Sequence, residues 1–313
     1  MELRHLRCFL AVAEELHFAR AAERLHIEQS PLSRAIRDLE EELGVSLFAR
    51  TTRSTRLTRE GHMFLEHVPR VFTAVQQARD SVNAAANGYR GQLRIALSDG
   101  MTPSRFSALL ARCRQDEPEI DIRLAEVPLA RQIKGLLDDT YDLGFARAED
   151  AGDGLIAEPA WSEPLMVAVP DRHPLVSCKR IPLDEVLRYP LVMGDPQACE
   201  GYARQIERLL RRHTDREPLV AERVATVDLM MAMVAAGCAL GLTGASHLTA
   251  CREHGVVARP IAGFSPQLTT YLLRPDHAPS AILARFIACV HAVETREDRA
   301  ANDPEDVAKE IAP

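Results

Sequence analysis

Gln29, Ser30, Ser33, Arg34 and Arg37 recur at intervals that place them on one face of a helix, and their side chains can read a nucleic acid. Arginine forks onto guanine, glutamine pairs with adenine, and serine reaches bases or phosphates. Ser30 is suited to cap such a helix, and Pro31 to follow it where a missing N–H costs nothing. Just downstream, Arg50, Thr51, Thr52, Arg53, Ser54, Thr55, Arg56, Leu57, Thr58 and Arg59 hold four arginines and no acid. A hairpin of this composition offers cations to a phosphate backbone, with Arg50, Thr51 and Arg53 as its candidate contacts. An amphipathic helix pair with merely solvated arginines is the competing reading, and the adjoining cationic hairpin counts against it.

These side chains need a small rigid core beneath them. Ala21, Ala22 and Leu25 predict the buried face of one short helix, Ile27 the turn, and Leu32, Ile36 and Leu39 the buried face of the next. A helix over 3–16 supports the pair, and Leu43, Val45, Leu47 and Phe48 close the core before the hairpin. From Thr58, acting as cap, a long helix follows. Its apolar residues Gly61, Phe64, Val68, Val71, Val75, Ala78, Val82 and Ala85 alternate steps of three and four, the seam of a coiled coil. Dimerisation over 61–86 is expected, with Phe64, Val68, Val71, Val75, Ala78 and Val82 as contacts. Pro69 predicts a bend or a break.

Asn87, Gly88, Tyr89, Arg90 and Gly91 mark a boundary, beyond which short apolar runs alternate with helical patterns. That alternation predicts an α/β architecture with parallel strand pairs. Ligands in such folds lie beyond the carboxyl ends of strands, which puts Ser98 and Arg147 among the candidate contacts. The chain of 313 residues is 46% hydrophobic and can bury more than one core. Its net charge of −7 belongs to the part after residue 60, since residues 1–60 carry acid and base in about equal numbers. Seven scattered cysteines form no C-x-x-C pair, so neither a disulfide framework nor a metal site is expected. Cys199 falls in a candidate pocket loop and has no second cysteine following nearby. No apolar run is long enough to span a membrane and no signal peptide is evident, so a cytoplasmic location is expected.

The opening MELRHLRCFLAVAEELHFARAAERLHIEQSPLSRAIRDLEEELGVSLFARTTRSTRLTREG resembles the DNA-binding domain of the LysR-type transcriptional regulators almost position for position. The rest fits the family's length and layout through weaker motifs. The resemblance implies an N-terminal winged helix-turn-helix at 1–58, a linker helix at 59–88, and a two-lobed effector domain like a periplasmic binding protein. Its first lobe would span 91–160 plus 268–295 and its second 161–267, with a hinge near Ala160 and Ser265 and a charged, poorly ordered tail at 296–313. Carried over residue by residue, effector contacts would fall at Asp99, Met101, Thr102, Leu129, Tyr202, Thr226 and Val227. Asp99 and Leu129 depart from relatives that bind unsaturated or aromatic carboxylates, so an anionic effector fits only if Asp99 turns away and Arg147 faces in. The implied partners are double-stranded DNA, a small-molecule effector and further copies of the chain, a tetramer built from dimers, with no cofactor. Two alternatives stand beside this reading. One is a pyridoxal-phosphate enzyme with a DNA-binding head, for which only Lys134, Lys179 and Lys309 could supply a Schiff base; the other is a solute-binding protein whose helix pair is structural.

Overall fold

The protein is described here from a computed structural model that covers residues 1–50, 55–98, 103–250 and 255–301. It divides into two compact units, Met1–Val82 and Asn83–Pro313.

In the first unit, α1 (Leu3–Glu15), α2 (Phe18–Arg24) and α3 (Gln29–Leu43) pack around Phe9, Val12, Ala21, Leu32, Ile36 and Leu39, all essentially inaccessible to solvent. The small side chains of Ala21 and Ala22 let the helices approach closely, and Phe9 packs against Phe48 and Phe64 with ring centroids 5.4 and 4.9 Å away. The Glu40 carboxylate accepts the N–H groups of Leu47 and Phe48 at 2.8 and 3.0 Å, fixing where the chain enters β1 (Phe48–Arg50). That strand pairs antiparallel with β2 (Thr55–Leu57), giving the expected hairpin; its tip lies outside the described residues.

Three local expectations are corrected. The helix α3 starts at Gln29 with Glu28 as its cap residue, not at Ser30, because Pro31 is tolerated anywhere in a first turn whose N–H groups have no intrahelical acceptor. Ile27 is 41% exposed, since its N–H closes the turn onto the Ala22 carbonyl while half-buried Leu25 covers the core. Leu43 and Val45 are also exposed, leaving Leu47 and Phe48 to close that side.

The long helix α4 (Arg59–Ala86) is capped as its sequence predicts, Thr58 Oγ1 accepting the Gly61 N–H at 2.9 Å. It runs through Pro69 without a break, because the proline forfeits a single bond to the preceding turn. The expected seam is divided. Val68 is buried in the core of the first unit, and Phe64 packs against it, so these two hold the helix to its own domain. Gly61 lies so close to the Leu47 carbonyl that a Cβ would stand 2.1 Å from its oxygen. Farther along, Val71 and Val82 are exposed at 38% and 69%, Ala78 is exposed and Val75 half-buried.

The second unit is built on a sheet in the order β4-β3-β5-β11-β6-β9-β7-β8, with β10 also paired to β6. On one side lie β3 (Gly91–Leu97), β4 (Ile120–Glu126) and β5 (Leu143–Ala146), parallel to one another and linked by α5 (Pro103–Asp116) and α6 (Leu129–Leu137). On the other lie β7 (Leu191–Gly194), β8 (Val220–Val224) and β9 (Leu240–Gly244), again parallel, with α7 (Leu183–Val186), α8 (Glu200–His213), α9 (Val227–Ala235) and α10 (Ala245–Ala250). Each side has a hydrophobic core of its own, so the unit consists of two lobes.

The lobes are joined by continuous strands. The sixteen-residue β6 (Leu155–Pro170) pairs with β11 (Gln267–Pro275) through its first two-thirds, and with β9 and β10 (Val256–Pro260) beyond. Its early part was not expected, because Pro159 and Pro164 interrupt the apolar run. The neighbourhoods of Ala160 and Ser265 therefore differ in kind: Ala160 is inside a paired strand, and Ser265 lies two residues before one. A last helix, α11 (Ala281–Ala301), packs on α5 and continues into the residues expected to be a disordered tail.

Candidate functional site

Two surfaces carry the residues singled out for function. The first is the outer face of α3. Gln29, Ser30, Pro31, Arg34 and Arg37 are exposed and Ser33 is half-buried, while Leu32, Ala35 and Ile36 face inward. Neither Arg34 nor Arg37 is held in an ion pair among the described residues. Arg56 is exposed on β2. Arg50 ends β1, and Thr51 and Arg53 lie outside the described residues. A rigid helix thus offers unpaired cations and amide groups to solvent beside a two-stranded wing, a geometry suited to a major groove and its flanking phosphates.

The second is a cleft of about 550 Å³ between the lobes. The first lobe contributes Leu97, Ser98, Phe106, Glu126, Val127 and Pro128; the second contributes Cys199, Thr226, Val227, Asp228 and His247. The strand-end rule explains why: Ser98 follows β3, Val127 follows β4, and Thr226 caps α9 by accepting the Leu229 N–H at 3.3 Å. Ser98 Oγ donates to Gln132 Oε1 at 3.0 Å. The wholly buried Gln132 donates in turn to the carbonyls of Ala96 and Phe145 at 2.8 and 3.0 Å, tying two strand ends together under the cleft. Cys199 lines the cleft as expected, its thiol donating to the Ala225 carbonyl at 2.9 Å.

Of the expected effector contacts, Ser98, Thr226 and Val227 line this cleft, and Asp99, Met101 and Thr102 lie outside the described residues. Three do not line it. Leu129 opens α6 with its side chain in the core against Leu136 and Ala146. Tyr202 is buried, its hydroxyl donating to the Leu242 carbonyl, in space left by Gly194, where a Cβ would come within 2.7 Å of the ring. Arg147 is 3% exposed and paired at 2.8 Å with Glu163, itself 2% exposed, so it is committed inside the protein rather than facing a ligand.

Burial pushes the Glu163 carboxyl up, but the Arg147 charge and the bonds from Ser246 and Arg147 outweigh it and hold the carboxyl below its ordinary range. His247, next along α10, is held below the usual imidazole range by burial first and by the Arg147 charge second, which keeps it neutral at pH 7. The sequence did not announce His247 or Gln132, because α10 is too short to show a period and a lone glutamine in a helix reads as solvent-facing. Among the described lining residues the charged side chains are Glu126 and Asp228, with no lysine or arginine.

Comparison with known proteins places both surfaces in one context. Residues 3–62 match the family described as bacterial regulatory helix-turn-helix protein, lysR family, and residues 86–294 match the LysR substrate binding domain. The chain is 36% identical over 247 residues to the uncharacterized HTH-type transcriptional regulator YnfL of Escherichia coli (strain K12), covering 79% of this chain and 83% of the relative. It is 32% identical to the HTH-type transcriptional regulator AlsR of Bacillus subtilis (strain 168), covering 78% and 80%. Among solved structures, CbnR, a LysR family transcriptional regulator, superposes with a TM-score of 0.68 at 29% identity over 94% of this chain and 99% of that one. Full-length CbnR complexed with its target DNA gives 0.66 at the same identity, covering 94% and 100%.

Proposed function

The chain belongs to the LysR family of transcriptional regulators, and from that premise we propose that DNA binding through α3 and the β1–β2 wing is governed by a small molecule held in the cleft between the two lobes. The observation that carries this reading is the cleft itself, walled by both lobes and floored by fixed polar groups at Ser98, Thr226 and His247. A ligand touching both walls binds one arrangement of the lobes better than another, and only that difference in affinity can shift the regulator between states. With Glu126 and Asp228 on the walls and Arg147 neutralised behind them, the cleft suits a neutral or amine-bearing molecule better than a carboxylate. Dimerisation through the exposed Val71, Ala78 and Val82 and the half-buried Val75 sets two reading heads at a fixed spacing, and pairing of dimers gives the tetramer.

The pyridoxal-phosphate alternative gains nothing from the fold. Lys134 and Lys179 are exposed and neither lines the cleft; Lys309 lies outside the described residues. The test is a thermal-shift comparison of matched amines and carboxylates, followed by mobility shift of promoter DNA with the best ligand across a salt series. Amines should stabilise more than their carboxylate counterparts and change the DNA complex. Stabilisation by carboxylates alone would refute the charge assignment, and absence of a salt-dependent DNA complex would refute the regulator reading.

A further inference from the structure

Cys113 and Cys289 are 176 positions apart in sequence, yet their sulfurs lie 3.4 Å from each other where α5 packs on α11. Both line a cavity of about 260 Å³ beside Arg285 and Phe286. Cys113 is buried and Cys289 half-buried, so the pair is sheltered without being sealed off. We propose that Cys113 and Cys289 form a redox-active dithiol, oxidised by a hydroperoxide to an intramolecular disulfide and restored by a small dithiol reductant.

The chemistry divides between the two sulfurs. Burial pushes the Cys113 thiol well above its ordinary range, with the hydrogen bond to Cys289 acting the same way, which makes Cys113 a poor first nucleophile. Cys289, the more accessible, takes the first step: its thiolate attacks the terminal oxygen of the hydroperoxide, the O–O bond breaks, and with one proton taken up an alcohol leaves and a sulfenic acid remains. The sulfur loses two electrons and the peroxide gains them. Cys113 then attacks the sulfenic sulfur, an S–S bond forms, and water departs with the thiol proton. Reduction runs by exchange, the dithiol reductant becoming a disulfide as both cysteine thiols return.

The bond would staple α5 to α11. Because Phe106 of α5 lines the interlobe cleft, oxidation would also stiffen one wall of it; that coupling rests on the ligand reading above, whereas the disulfide does not. The experiment uses the full chain exposed to hydrogen peroxide, blocked by alkylation and digested without reduction for mass spectrometry. Expected is a linked species joining the fragments of Cys113 and Cys289, lost with dithiothreitol and absent from Cys113→Ser and Cys289→Ser. It should persist in a Cys238→Ser control, where the exposed thiol is removed. Oxidised protein should melt several degrees higher, as expected for closure of a long loop. Both cysteines fully alkylated after peroxide, or Cys289 carried to the sulfinic acid with Cys113 still free, would overturn the proposal.

Discussion

Arg34 and Arg56 carry the same charge on different kinds of surface, and their removal should fail in different ways. Arg34 projects from the exposed face of α3, the face proposed to read base edges; Arg34→Ala should cost about 1 to 3 kcal/mol and relax preference at one base position. Arg56 projects from the wing, so Arg56→Ala should weaken binding to every sequence and lower the salt slope by about one. Binding titrations on operator and scrambled DNA at several salt concentrations separate the two, and equal loss of specificity from both contradicts the assignment. In the second unit the sensitive residue is Glu163. Glu163→Gln leaves the Arg147 cation buried without its counter-charge and should destabilise the protein by about 3 kcal/mol, measured by urea unfolding. The α3 face was readable because one period of 3.6 separates its buried and exposed residues. Arg147 was not, because an arginine at a strand end looks open to solvent until Glu163, on a different strand, is brought against it.

Helix α4 serves two masters along its length, and a repeat read from sequence cannot tell them apart. Val68 and Phe64 satisfy the heptad spacing as well as Val75 and Val82 do, yet the former pack into the core of the wing domain, while Val75 is only half-buried and Val82 is exposed. Val75→Asp should therefore dissociate dimers while leaving the melting of the first unit nearly unchanged; sedimentation that stays dimeric would refute a seam at this position. The other elements were legible in proportion to their length. The helices α5, α8 and α9 and the strands β3, β4, β7 and β9 fall where apolar patterning placed them. The six-residue α10 did not register, and β6 was recognised only beyond Pro164 because prolines count against a strand. That β6 keeps its ladder past Pro159 and Pro164 reflects β11 alongside, with a register shift at Thr270/Tyr271 taking up the irregularity.

Across the whole molecule, two buried groups tie stability to pH in the same direction. The Glu163 carboxyl ionises in the fold below its ordinary 4.5, so its contribution is complete above that value and is lost as pH falls through the depressed one. His247 is held below 6.5 in the fold, so the unfolded chain takes up the proton first; its contribution is complete above 6.5 and shrinks as pH falls. The melting temperature should decline from pH 7 toward pH 5 and fall further below 4.5. A flat profile between pH 7 and 5 would show that His247 is not held neutral by the fold.

The strands shared by the lobes also decide how the cleft can move. Between Trp161 and Pro164 the connection is a two-stranded ribbon, β6 against β11, with Ser162 and Thr269 hydroxyls 2.9 Å apart and Gln205 of α8 bonded to both the N–H and the carbonyl of Thr269. A loose pivot would swing at no elastic cost, but a hydrogen-bonded ribbon can only be wound tighter or looser. On the proposed function, ligand capture would work against a torsion spring, and softening it by Gln205→Ala should quicken ligand release and entry together rather than alter which molecule is chosen.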